Sequence, residues 1–96
     1  MYGLIGKMIA VEGQREALIA ILLGSTGAMP GCRSYVVAKD GSDPNAIWIT
    51  EVWDSKASHD ASLTLPAVRD AIARGRPLIA SFASSVATEP VGGYGL

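Results

Sequence analysis

Residues 46–65 read AIWITEVWDSKASHDASLTL, and this stretch decides the fold. Its opening half is β-branched and aromatic, the composition of a strand. Successive strand side chains alternate between faces. Ile47, Ile49, Glu51 and Trp53 therefore share one face, and Trp48, Thr50 and Val52 share the other. Asp54 and Ser55 end the pattern, and either can cap a helix through a side-chain oxygen. That helix is expected over residues 56–63. It carries His59, the sole histidine of the chain. One strand face thus ends in an indole at the mouth of a helix bearing the sole imidazole.

Upstream, CRSYVVAK at 32–39 reads as a second strand, with Tyr35 and Val37 on one face. The six residues between it and residue 46, DGSDPN, are dense in turn formers. Two strands joined so tightly make an antiparallel hairpin. YGLIGKMIAV at 2–11 reads as another strand, with Leu4, Gly6, Met8 and Ala10 on one face and Ile5, Lys7, Ile9 and Val11 on the other. QREALIAILL at 14–23 reads as a helix, because Leu18, Ile21 and Leu22 fall at the spacing of one buried stripe. Gly24 stops it, and a loop of small residues runs to Gly31.

Downstream, Pro66 opens a second helical piece, where its missing N–H costs nothing. Leu65, Val68 and Ile72 are expected on its inner side, and Arg69, Arg74 and Arg76 at its outer edge and end. Gly75 and Pro77 interrupt it. Residues 78–88 contain a last strand, with Phe82, Ser84, Val86 and Thr88 expected on one face. EPVGGYGL at 89–96 is a glycine-rich tail, free or draped over a partner.

The order β-α-β-β-α-β is that of a ferredoxin-like α+β fold, a four-stranded antiparallel sheet with helices on one face. The face away from the helices carries Ile5, Ile9, Trp48 and Val52. One layer of helices cannot cover both sides. Two sheets packed face to face would, so a two-fold homodimer is expected, with Trp48 in the interface.

Composition sets the bounds. The chain has 96 residues, enough for one domain over 1–96. Hydrophobic residues make up 49% and charged residues 18%, an apolar surplus for so small a globule that implies a pocket, a partner subunit or both. Net charge is −1, with no basic run, so nucleic acid is not an expected partner. No apolar run approaches the ~18 residues of a membrane span. The lone Cys32 makes no internal disulfide, which suits a reducing compartment, and no secretory leader pattern opens the sequence. The expected location is the cytoplasm.

Pro30-Gly31-Cys32-x-x-Tyr35, Asp43-Pro44-Asn45 and Glu51-x-Trp53-x-Ser55, set in this element order, resemble the antibiotic biosynthesis monooxygenase family of small dimeric α+β barrels. The likeness runs over residues 3–88. It implies oxidation of quinols or anthrones by molecular oxygen with no metal or flavin cofactor. It maps the family's strand-end tryptophan onto Trp53. The asparagine that anthrone oxygenases place four residues earlier is Ile49 here. The asparagine and histidine of haem-degrading members fall on Gly6 and Leu63, so the haem-degrading pattern is absent. The histidine that many members carry near Ser62 has its counterpart, if any, in His59, one turn earlier.

Oxygenation without a cofactor needs a dry pocket, a base, and a donor for the anion's oxygen. Trp53 can donate, since an indole N–H is a donor only. An imidazole as a residue type can accept a proton near neutral pH, which makes His59 a candidate acceptor. Glu51 shares the face of Trp53 and can orient either group or act as base. Each has a plainer reading. Trp53 can be a core wedge, His59 a solvated or capping residue, and Glu51 a strand-pair partner of Lys7 or Arg33. Leu63, one turn beyond His59, is expected to be buried and to hold His59 at the core's edge. The pocket walls are expected from Leu4, Met8, Ile49 and Phe82 on the sheet, and from Leu63, Val68 and Ile72 on the helices. One histidine and one cysteine are too few for a metal site. Two functions follow: a cofactor-independent monooxygenase acting on a small quinol-like or polyphenolic aromatic with O2, or a barrel that binds or scavenges such a molecule without turnover.

Overall fold

The computed structural model describes residues 1–27 and 29–96. These form strands β1 (Tyr2–Ala10), β2 (Cys32–Lys39), β3 (Ala46–Trp53) and β4 (Ile79–Thr88), with helices α1 (Arg15–Gly24), α2 (Lys56–Ser62) and α3 (Pro66–Gly75) and a 3-10 turn at Arg76–Leu78. The sheet order is β2-β3-β1-β4 with every neighbouring pair antiparallel. This is the ferredoxin-like α+β arrangement, with the second helical segment divided in two by the turn before Pro66.

The core lies under α1. Leu18 packs with Ala10, Ile47 and Ile49, all from the helix-facing side of β1 and β3. Burial of these side chains is the main driving force of a domain this small, at roughly 1.5–3 kcal/mol for each large one. Two glycines let elements approach. A Cβ on Gly75 would lie 3.3 Å from Leu18 Cδ1, so a side chain there would require Leu18 of α1 to give by a few tenths of an ångström. Gly31 has φ of 81°, and a Cβ there would meet Ser58 of α2 at 2.6 Å. Its carbonyl accepts from the Asp54 N–H at 2.8 Å, which ties the start of β2 to the end of β3.

The β2–β3 hairpin is closed by Asp40. Its Oδ1 accepts from the N–H groups of Ser42 and Asp43, and its Oδ2 accepts from Trp48 Nε1 at 2.8 Å. Those bonds hold the carboxyl well below the usual carboxylate range. Lys7 sits over the Trp48 ring at 5.3 Å and pairs with Asp40 at 3.7 Å. The α2 cap is Ser55, whose Oγ accepts from the Ser58 N–H at 3.1 Å. Asp54, the other candidate, pairs with Arg33 at 2.6 Å instead.

β4 departs from simple alternation. Its register against β1 shifts twice: Lys7 faces Ser84 while Met8 faces Phe82, and Ile9 faces Ser81 while Ala10 faces Ile79. Ala83 and Ala80 are therefore the extra residues of two bulges. Directly opposed residues share a face. Phe82 goes with Met8 to the helix side, and Ser84, Val86 and Thr88 go with Lys7, Ile5 and Gly3 to the outer side. The expected common face for these four is thus corrected, since each bulge inverts the alternation once.

Ile5, Val36 and Val86 are exposed on the outer face, where Trp48 is half-buried. The tail beyond Thr88 leaves Val91 and Tyr94 fully exposed. No helix among the described residues is long and apolar enough to cross a membrane.

Candidate active site

A cavity of about 400 Å³ lies between the helix-facing side of the sheet and α1, α2 and α3. That is within the roughly 300–1,000 Å³ of small-ligand sites. Trp53, His59 and Glu51 all reach it. So do Met8 and Phe82 from the sheet, and Leu63, Val68 and Ile72 from the helical side. Two expected wall residues stand elsewhere. Ile49 is 7% exposed and closes the core with Leu18 and Ile47, because α1 crosses the sheet directly above it. Leu4 is on the correct face, opposite Glu51 in register, but Met8 and not Leu4 is the β1 side chain over which the cavity opens.

The chemistry gathers at the end of β3. Trp53 is 1% exposed, and its Nε1–H donates to Glu51 Oε1 at 3.0 Å. The two residues are separated by one position on the same strand face, so the strand geometry itself brings them together. Glu51 is not paired with Lys7 or Arg33, as expected from the strand pattern. Lys7 is held by Asp40 and Arg33 by Asp54. His59 meets the indole edge-on, with ring centroids 5.5 Å apart and planes at 79°, and Tyr2 lies 5.6 Å from it on another side. Its Nδ1 is 3.0 Å from Asp60 Oδ1. A carboxylate there accepts, so in the neutral ring the proton belongs on Nδ1 and Nε2 carries the lone pair. Lys56 first, and then His59, hold the Asp60 carboxyl low.

The turn around His59 is fastened differently from the sequence pattern. Ser62 is the buried residue and donates to the His59 carbonyl at 2.6 Å. Leu63, expected in the core, is 46% exposed at the cavity rim. It caps α2 just past its last turn. Phe82 at 73% and Ile72 at 44% exposure complete an apolar rim. Arg76 also lines the cavity, whereas Arg74 is engaged by Asp70 at 2.8 Å.

Tyr35 is the lining residue that the sequence reading passed over. It stands directly across from Glu51 in the β2–β3 pairing. The loop bond from the Asp40 N–H to the Ala46 carbonyl sets the register that opposes Tyr35 to Glu51. Burial, then the charge of Glu51 and then Cys32 push its phenol up to about 12. Cys32, opposite Trp53, is likewise raised, by burial first, so its thiol is a packing group rather than a nucleophile. Among the described residues, no three side chains of the His, Cys, Asp and Glu types gather as a metal-ligand set.

The family model for antibiotic biosynthesis monooxygenases matches residues 1–74. The chain belongs to the antibiotic biosynthesis monooxygenase family. A solved structure bearing the family's name, from Chloroflexus aurantiacus J-10-fl, is 67% identical over 97% of this chain and 95% of its own, with a TM-score of 0.95. Another so named, from Deinococcus radiodurans, is 28% identical over 97% of this chain and 95% of its own, with a TM-score of 0.80. One from Nitrosomonas europaea shares the fold at a TM-score of 0.86 with 14% identity, over 96% of this chain and 100% of its own. No curated protein matches the chain. Membership in the antibiotic biosynthesis monooxygenase family agrees with a small-molecule substrate.

Proposed function

We propose that the protein is a monooxygenase that oxidises a small quinol-like or polyphenolic aromatic with molecular oxygen, as a homodimer and without a resident metal or flavin. One observation carries this reading: a carboxylate oriented by a buried indole N–H at the wall of a mostly apolar cavity. Because Trp53 spends its N–H on Glu51, its part is to aim the base rather than to hold the substrate. The oxygen of Glu51 that the indole leaves free takes the hydroxyl proton of the ligand. His59, with Nε2 as lone pair, is the second acceptor at the same end.

The anion so formed passes one electron to O2, and the two radicals combine at a ring carbon that bears hydrogen. Glu51 returns its proton to the peroxide. The hydroperoxide then loses its O–O bond and the hydrogen on that carbon, giving a carbonyl and one water. One oxygen atom enters the product and the other leaves as water. Exclusion of bulk water by the apolar walls favours electron transfer from the bare anion.

The test is oxygen uptake by metal-free protein with vicinal diols of the 2,3-dihydroxynaphthalene type, with menadiol-type quinols and with anthrones, measured against autoxidation. Acceleration by the wild type that falls at least tenfold in Trp53→Phe and His59→Ala supports the reading. Ile49, core-packed where anthrone oxygenases carry asparagine, favours a second reading, a binding or scavenging barrel. Tight ligand binding with no added oxygen uptake would decide for that one.

A further inference from the structure

We propose that Tyr35 is a specificity-determining residue: with Glu51 it forms a donor–acceptor pair that selects aromatic ligands carrying two oxygens on neighbouring ring positions. This rests on the cavity being the ligand site, as in the function proposed above, and goes further by naming how the ligand is read.

The placement comes from the sheet. Tyr35 and Glu51 are opposed across β2 and β3, and both line the cavity. Directly opposed strand residues have Cβ atoms about 4.5–5.5 Å apart. The charge of Glu51 also acts on the Tyr35 phenol, so the two polar ends lie at the same end of the cavity and not at opposite ends of it. Glu51 uses Oε1 for Trp53, and its other oxygen has no partner among the described residues. Among the described residues no hydrogen bond holds the Tyr35 phenol either, and burial and the charges of Glu51 and Cys32 act on it. Yet no buried polar side-chain atom among the described residues lacks a partner. The phenol oxygen is therefore reached by solvent and not sealed in the protein, and its residue lines the cavity.

The two groups are complementary in kind. The phenol remains protonated across the working pH range and offers an O–H, while the carboxylate only accepts. A ligand satisfies both when one of its hydroxyls donates to Glu51 and the oxygen beside it accepts from Tyr35. A ligand with a single hydroxyl leaves the phenol without a partner once water is expelled, which weakens its binding. The opposite walls at Met8, Val68 and Phe82 are hydrocarbon and accept the unsubstituted part of the ring system.

The experiment is anaerobic binding of 2,3-dihydroxynaphthalene and of 2-naphthol, followed by tryptophan fluorescence, in wild-type protein and Tyr35→Phe. The wild type should prefer the diol by roughly three- to tenfold. Tyr35→Phe should erase that preference while binding 2-naphthol at least as tightly as the wild type does, which also reports that the cavity is intact. A preference unchanged in the variant, no preference in the wild type, or failure of both probes to bind overturns the proposal. Because oxygen is excluded, the result is independent of turnover. Selectivity that depends on Tyr35 in a protein that consumes no oxygen would sink the oxygenase reading alone.

Discussion

At Tyr35 a single oxygen atom links the site to the stability of the fold. Its folded pKa stands near 12, above the ordinary value of 10 in the unfolded chain. The folded state therefore binds the proton more tightly, and stability from this group is present below pH 10 and lost as pH rises toward 12. The full difference is on the order of 2–3 kcal/mol. Denaturant midpoints measured from pH 8 to above pH 11 should fall more steeply in wild type than in Tyr35→Phe. Glu51→Gln removes the second cause and leaves burial, so the tyrosinate absorbance transition should move down without reaching 10. Trp53 shows the limit of reading residues singly. Its position beside Glu51 was legible from alternation along one strand. That its N–H would be committed to that carboxylate was not, because hydrogen bonding is a choice among all neighbours and only the fold supplies them.

At the scale of elements, α2 is short and depends on its ends. It has seven residues, and its first turn is closed by the Ser55 hydroxyl. Ser55→Ala should cost about 1 kcal/mol in chemical denaturation. Gly31 holds the start of β2 against the same helix in the left-handed region, with no space for a Cβ beside Ser58. Gly31→Ala should cost more, about 1–3 kcal/mol, and should loosen α2 and with it His59. Slower amide exchange lost over residues 56–62 would register that loosening. The boundaries of β2, β3 and α2 were readable because turn formers and a cap bracket them. The two bulges of β4 were not readable. Ala80 and Ala83 are ordinary strand residues, and an extra residue is defined only by the partner strand that fails to match it.

At the scale of the molecule, the outer side of the sheet leaves Ile5, Val36 and Val86 in water. The proposed homodimer covers that face with a second copy of itself. Sedimentation equilibrium should show twice the mass of the 96-residue chain, and Val86→Glu should shift it toward monomer by placing a charge in the apolar contact. The variant should keep its secondary structure, because Val86 belongs to no core cluster.

Local pattern alone settled the element order, the antiparallel hairpin and the pairing of Glu51 with Trp53 on one face. Those follow from period, turn chemistry and capping, which act over a few residues. The tertiary structure decided which side chains wall the cavity: it drew Ile49 into the core, left Leu63 at the rim, turned Phe82 inward through the bulges and set Tyr35 against Glu51. Each of those depends on an element distant in the chain, and contact across the fold is fixed by register and packing rather than by the residue's own neighbours.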